Sequence, residues 1–145
     1  MSDEPILLSG VSAVSIDSNA LILQGPPGAG KSSLALALID RGAQLIGDDG
    51  VWLERDGERL LASPPPNTNG LLEVRNVGIL EFPVAKRVPV ALLLQLADDA
   101  ERLPDGARHR EIAGCSIPEL GFVPGSIAPA IRAEWALRRF GTVIT

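Results

Sequence analysis

Cysteine, histidine and aromatic residues are scarce in this sequence. One cysteine, Cys115, excludes an internal disulfide framework and a zinc cluster built on cysteines, and suits a reducing cytoplasm. The single histidine, His109, lies in a charged stretch and reads as solvated rather than catalytic. Tyrosine is absent and aromatics make up 3% of the chain, so no base-stacking platform is evident and nucleotide selectivity is expected to be loose. Basic residues are not in excess. Thirteen Lys and Arg against 18 Asp and Glu leave a net charge of −5, which argues against nucleic acid as the partner. No apolar stretch approaches the roughly 20 residues that cross a bilayer. The N-terminus Met1-Ser2-Asp3-Glu4 lacks the basic and apolar regions of a signal peptide. These absences predict a cytoplasmic protein with no membrane and no nucleic-acid role.

What is present is enough apolar material for a core. Hydrophobic residues make up 46% of 145 residues, which is the size of one domain spanning 1–145. Within it, Gly25-Pro26-Pro27-Gly28-Ala29-Gly30-Lys31-Ser32 matches the phosphate-loop pattern G-x-x-x-x-G-K-[ST] in full. Both flanks fit. The apolar run Ala20–Leu23 enters the loop and a helix-like stretch, Ser33–Arg41, leaves it. Glycines let the backbone curl so that successive N–H groups face one anion, and the helix N-terminus adds partial positive charge. Lys31 reaches outer phosphates and the Ser32 hydroxyl is placed to ligate Mg²⁺.

The remaining pattern alternates short strands with two helices. Val11–Ile16 reads as a strand, Ser18-Asn19 as a turn, and Ala20–Gln24 as the buried strand before the loop. Leu34 and Leu38 share a helix face, and Gly42 ends that helix. Leu45-Ile46-Gly47 is a short strand ending at Asp48-Asp49. Val51–Glu54 and Arg59–Ala62 read as a hairpin turning at Asp56-Gly57. Pro64 to Gly70 is a loop, and Leu71–Arg75 and Val77–Phe82 are extended with a break at Asn76. Val90–Leu96 is a central strand, Asp98–Arg110 is loop-like, and Ile127–Phe140 is a helix with Ser126 as N-cap, Pro129 in its first turn, and Ile131 with Trp135 as packing face. The sum is an α/β fold with more strands than helices and a mixed β-sheet.

A phosphate loop needs an acidic partner, and Asp48-Asp49 stands at the end of the strand that follows its helix. One strand–loop–helix–strand unit returns that pair to the loop's edge of the sheet. Glu73 and Arg75, two apart, share a strand face opposite Leu72 and Val74. They suit a Mg²⁺ ligand beside a phosphate clamp, and equally a solvated ion pair.

Together these segments resemble the catalytic domain of HPr kinase/phosphorylase, in the short form of alphaproteobacteria. The resemblance runs from about Val11 to Phe140. Its specific parts are Gly25 to Ser32, the segment Arg41-Gly42-Ala43-Gln44-Leu45-Ile46-Gly47-Asp48-Asp49-Gly50-Val51, and Gly70-Leu71-Leu72-Glu73-Val74-Arg75-Asn76-Val77-Gly78-Ile79-Leu80, which is similar to the family signature. It implies a phosphate-loop kinase core like that of phosphoenolpyruvate carboxykinase, and transfer of the ATP γ-phosphoryl to a serine of the phosphocarrier HPr within the phosphotransferase system. Removal of that phosphate by inorganic phosphate, forming pyrophosphate, and hexamers are further family properties. By the same resemblance Gly25, Pro26, Pro27, Gly28, Ala29, Gly30, Lys31, Ser32 and Ser33 cradle the nucleotide. Lys31 stabilises the moving phosphoryl, Ser32 and Glu73 hold Mg²⁺, Asp48 and Asp49 supply the base with Asp49 preferred, and Arg75 lies beside the phosphates. No N-terminal regulatory domain is expected.

Three departures stand out. Ser33 replaces a usual acid, Asn76 a usual Gly, and Leu8-Ser9-Gly10-Val11-Ser12 lacks the usual His. Whether phosphorolysis survives stays open. Arg132, Arg138 and Arg139 form a basic patch that suits either HPr docking or a solvated helix face. Two other readings compete with the HPr kinase. One is a small-molecule phosphate-loop kinase, and the other is a nucleotide-binding sensor that docks HPr without transferring phosphate.

Overall fold

The computed structural model describes residues 4–66 and 70–143. Residues 67–69, within the predicted proline-rich loop, lie outside them. The elements are β1 (Ile6–Ser9), β2 (Val11–Ile16), β3 (Asn19–Gln24), α1 (Lys31–Asp40), β4 (Gln44–Gly47), β5 (Gly50–Asp56), β6 (Arg59–Ser63), β7 (Leu71–Val74), β8 (Gly78–Glu81), β9 (Val88–Leu96), β10 (Arg108–Ile112), β11 (Cys115–Phe122) and α2 (Pro129–Phe140).

Nine strands form one mixed sheet with a path β1-β5-β6-β9-β3-β2-β4, and β10-β11 attached to β9. The long strand β9 lies at its centre. It runs parallel to β3 and, along its C-terminal half, parallel to β11, while its first residues pair antiparallel with β6. Both faces of β3 and β9 are covered, which is why they read as unbroken apolar runs rather than alternating ones. Leu21, Leu23, Leu92 and Leu94 face one core with Leu34, Leu38, Ala133 and Leu137 of the helices. Ala20, Ile22, Val90 and Leu93 face another, closed by Leu53, Leu60, Ile112 and Ile117 where the sheet curls over.

Because β2 is antiparallel to both β3 and β4, those two strands are parallel to each other, with α1 as their crossover. The ends of β3 and β4 therefore share an edge, as the spacing predicts. The hairpin β7-β8 is a separate two-stranded sheet beside α1.

Several expectations are corrected. The first hairpin turns at Asp17-Ser18, both at positive φ (50° and 66°), the geometry a tight two-residue β-hairpin requires. Asn19 instead starts β3, its side-chain amide donating to the Asp17 carbonyl at 3.0 Å. Asp56 ends β5, so the next turn falls one residue later, at Gly57-Glu58. The charged stretch to Arg110 is not all loop: Arg108–Ile112 pairs with β11, a strand that the prolines and charges of both segments conceal. In α2 the N-cap is Ala128 in a left-handed conformation, not Ser126. Proline at the next position has no N–H to satisfy, so a side-chain cap is less needed. The packing face is Ala130, Ala133, Ala136 and Leu137, and Trp135 is 62% exposed with Ile131 at 41%. The i, i+4 spacing of Ile131 and Trp135 describes a real stripe, but small alanines let the helix backbone sit closer to the sheet than bulky residues would.

Candidate active site

The Gly25–Ser32 loop leaves β3 at the C-terminal edge of the sheet. Its glycines have distinct reasons. A side chain at Gly25 would stand 2.9 Å from the Leu96 carbonyl oxygen at the end of β9, and Gly30, the N-cap of α1, has φ 96°, where L side chains are strained. The Ala29 N–H closes the loop on the Pro26 carbonyl at 3.1 Å. No side chain caps α1 and no acid occupies its first turn, so its positive end faces outward uncompensated. Lys31 folds back over the loop, donating to the carbonyls of Gly25 at 2.6 Å and Pro26 at 3.1 Å.

Asp48 is tied directly to this loop. One carboxylate oxygen, Oδ1, accepts from Ser32 Oγ at 2.8 Å and from Ser12 Oγ at 2.6 Å. Ser12 sits on β2 between β3 and β4 and is 1% exposed, so this hydroxyl pair is fixed from inside the sheet. Ser12 is the residue that reasoning from sequence missed. The available signal was a hydroxyl in an apolar strand beside the loop strand. Asp49 follows in the left-handed region at φ 67° and is exposed, and its backbone carbonyl accepts from the Gly10 N–H at 3.0 Å. Behind the loop, Arg110 donates to Gln24, the last residue of β3, and to Glu119 at 3.2 Å.

Glu73 and Arg75 are placed differently. Glu73 lies on β7 and is exposed; Arg75 lies past the strand end, in the turn with Asn76, whose φ of 66° realises the predicted break. Among the described residues no hydrogen bond or ion pair joins either one to Lys31, Ser32, Asp48 or Asp49. Nor do three or more His, Cys, Asp or Glu residues gather into a metal cluster there. The oxygen donors of Ser32 and Asp48 fit Mg²⁺, which is commonly held by one or two protein oxygens together with substrate phosphates. His109 is exposed on β10, away from this group. Arg132 is not part of a free basic patch. Its guanidinium donates to the carbonyls of Val123, Pro124 and Ile127 and lies 4.7 Å from the centre of the Phe122 ring.

A phosphate loop between parallel strands, with a carboxylate bonded to its serine, defines a phosphate-loop kinase-type α/β core. The chain belongs to the HPr serine kinase C-terminal domain family, whose model matches residues 6–124. It is 41% identical over 119 residues to an HPr kinase/phosphorylase of Clostridium botulinum (strain Eklund 17B / Type B), covering 74% of this chain and 39% of that one. It is 34% identical over 109 residues to an HPr kinase/phosphorylase of Ralstonia nicotianae, covering 67% of this chain and 34% of that one. The chain thus spans well under half the length of these curated relatives. Its fold is similar to the solved structure of the Hpr(Ser) kinase/phosphatase from Coxiella burnetii, with a TM-score of 0.77 and 28% identity, covering 92% of this chain and 89% of that one. No helix among the described residues is long and apolar enough to cross a membrane.

Proposed function

We propose that this chain is an ATP-dependent protein serine kinase acting on HPr in the phosphotransferase system. The observation that carries the reading is the Ser12–Asp48–Ser32 hydroxyl–carboxylate cluster beside a complete phosphate loop, in a chain of this family. ATP lies with its phosphates on Gly25–Ser33. Lys31 leaves the loop carbonyls for the outer phosphates and stabilises the charge that develops during transfer. Asp48 orients the Ser32 hydroxyl. Asp49, exposed and outside that bonded group, is the carboxylate an incoming serine of a protein can reach. It takes the hydroxyl proton as the serine oxygen bonds to the γ-phosphorus, and the bond to the β-phosphate oxygen breaks to leave ADP.

Ser32, with Glu73 if β7-β8 closes on the site, would hold Mg²⁺, which would supply charge neutralisation on the phosphates. Arg75 then stands beside them as a clamp. HPr docks through the exposed α2 face of Ile131, Trp135 and Arg138, the guanidinium of Arg138 lying 5.1 Å from the Trp135 ring centre. By the family resemblance the working form is a homo-oligomer in the cytoplasm.

The test is phosphotransfer from ATP-Mg²⁺ to purified HPr, read by intact mass, with Lys31→Ala and Asp49→Asn beside the unmodified chain. One added phosphate that both variants lose supports the kinase and this site. Turnover of small acceptors with none on HPr would replace it with a small-molecule kinase, and ATP binding without any transfer with a sensor. Inorganic phosphate added to phosphorylated HPr, with pyrophosphate as product, tests the phosphorolytic direction.

A further inference from the structure

Four strands turn polar at the same level on the face inside the curl. Alternate residues of a strand share a face. On β3 that inner row passes from Ile22 to Gln24, and on β9 from Leu93 to Gln95. On β11 it passes from Ile117 to Glu119 and Gly121, and on β10 from Ile112 to Arg110 and Arg108. Gln24 pairs with Gln95, and Gln95 with Gly121, so this polar rim lies at the edge from which the phosphate loop leaves.

One arginine crosses the rim. Arg110 Nη1 donates to Gln24 Oε1 and to Glu119 Oε2, the latter at 3.2 Å. Glu119 stands directly across from Arg108, yet it bonds Arg110, whose own Cα partner is Ile117. The Arg110 side chain therefore leans along the rim. In sheet order β11 and β9 separate β10 from β3, so the bond to Gln24 passes over two strands, and the curl of the sheet is what allows it. The two strands it joins are not equally secure. β3 is held on both sides, by β2 and β9, whereas among the described residues β10 has β11 as its one ladder partner. Arg110 thus fixes β10 to the loop strand rather than fixing the loop.

The connection from β9, residues 97–107, hangs on β10. At its start the Ala97 N–H donates to the Phe122 carbonyl at 3.0 Å. No residue from 97 to 110 is buried. Ala100 passes over Gly121, where an added Cβ would stand 3.5 Å from the Ala100 Cβ. Between this segment and Gln95 and Glu119 of the rim is a cavity of about 290 Å³. A segment with no buried side chain and a cavity beneath it is not held by packing. Its place is set by its ends, β9 on one side and β10 with Arg110 on the other.

We propose that Arg110 is a positioning residue for phosphotransfer. It clasps β10 to Gln24 and so holds the 97–107 segment at the edge where nucleotide and protein acceptor meet. It touches neither reactant. A small displacement of such a segment is enough to slow a reaction that depends on orientation. The assignment rests on the kinase reading of the loop, and the experiment separates the two.

Amide hydrogen exchange and phosphotransfer from ATP-Mg²⁺ to HPr are measured on the full chain and on Arg110→Met, Gln24→Leu and their double variant. Arg108→Met is the control, since Arg108 shares the strand face but has no side-chain bond among the described residues. Arg110→Met keeps the side-chain stem and removes the donors. Amides of 98–107 should exchange about tenfold faster in that variant, with those of β3 and α1 unchanged. The kcat should fall about tenfold while KM for ATP stays within about twofold, because the ladder still holds the loop. Gln24→Leu should do the same, and the double variant should be no worse than either, as for two partners of one bond. Arg108→Met should change neither readout. A brace that is only structural would speed exchange and leave kcat intact, and that result overturns the proposal. So does exchange of 98–107 that neither variant alters. Should Arg110→Met fail to fold, Gln24→Leu decides alone. No transfer by the unmodified chain overturns the kinase reading and this assignment together, whereas transfer that both variants leave intact overturns this assignment alone.

Discussion

The phosphate loop and the β7-β8 hairpin carry the two halves of the proposed site, and they are built in opposite ways. Around the loop the side chains of Lys31, Ser32 and Asp48 are tied down, and Asp49 alone of the proposed group is exposed and unbonded. Lys31 holds two carbonyls, Ser32 and Ser12 share one oxygen of Asp48, and Arg110 braces Gln24 from behind. The hairpin is a separate sheet of two four-residue strands, anchored inward by Leu72 at 1% exposure, with Val77 and Ile79 more than 60% exposed and Glu73 and Arg75 unbonded to the loop. Small, exposed two-stranded elements lie at the low-stability end of a fold, where moving parts of sites are found. Folding alone assembles the loop half, whereas in the proposed mechanism ligand or partner completes the other.

The largest expected effect falls on the tied half. Lys31→Ala should cost about 10²–10³-fold in the rate of phosphotransfer, as loss of one preorganised charge-stabilising group does. The urea unfolding midpoint should hardly move, because the lysine's present partners are carbonyls at the protein surface. A large drop in stability with modest loss of rate would mean that Lys31 is a structural brace of the loop. Glu73→Gln probes the hairpin half. If the hairpin closes on the phosphates, phosphotransfer should fall about 10–100-fold with stability unchanged and with a raised Mg²⁺ requirement. A rate within twofold of the unmodified chain would show that the hairpin stays apart, and Glu73 and Arg75 would revert to a solvated face.

The same contrast explains what could be read in advance. The loop, its entering strand, its helix and the acid pair obey local rules: glycine where backbone must curl, an apolar run where both faces are buried, and a short crossover that returns to the same edge. Features set by distant partners were not legible. Strand β11 is defined by its parallel pairing with β9, more than twenty residues earlier, and Pro118 within it hides the pattern. The buried stripe of α2 was chosen by how closely alanines let it approach the sheet, which periodicity alone does not encode. Ser12 gains its role only because β2 is inserted between β3 and β4, so that a serine beside the loop strand meets an aspartate 36 residues later.

Ser12→Ala tests that insertion and should have an intermediate effect. It removes a 2.6 Å hydrogen bond from a serine that is 1% exposed to a half-buried carboxylate, so a loss of about 1.5–3 kcal/mol in urea unfolding is expected. Because Asp48 also holds Ser32, phosphotransfer should fall as well. Ser12→Thr, which keeps the hydroxyl, should restore the rate. If Ser12→Ala lowers stability and leaves kinetics untouched, the serine is core packing and the loop half is held by Ser32 alone.

The smallest effect is expected where a bond of good geometry is exposed. Arg41, just past α1, meets Glu134 of α2 at 2.9 Å, and this pair joins the two helices that cover the same face of the sheet. Its distance is comparable with those of the Ser12 and Ser32 bonds to Asp48, but the Arg41 side chain is 45% exposed. In water the Coulomb gain of such a pair is nearly cancelled by hydration and by the entropy of holding a long side chain, so Arg41→Ala should cost less than about 1 kcal/mol, and less still at high salt. Phosphotransfer should be unaffected, since the pair sits at the end of α1 opposite the loop. A cost equal to that of Ser12→Ala, insensitive to salt, would mean that the helix layer is tied through this pair. The rigidity of the loop half would then come from α2 as much as from the buried hydroxyls of the sheet.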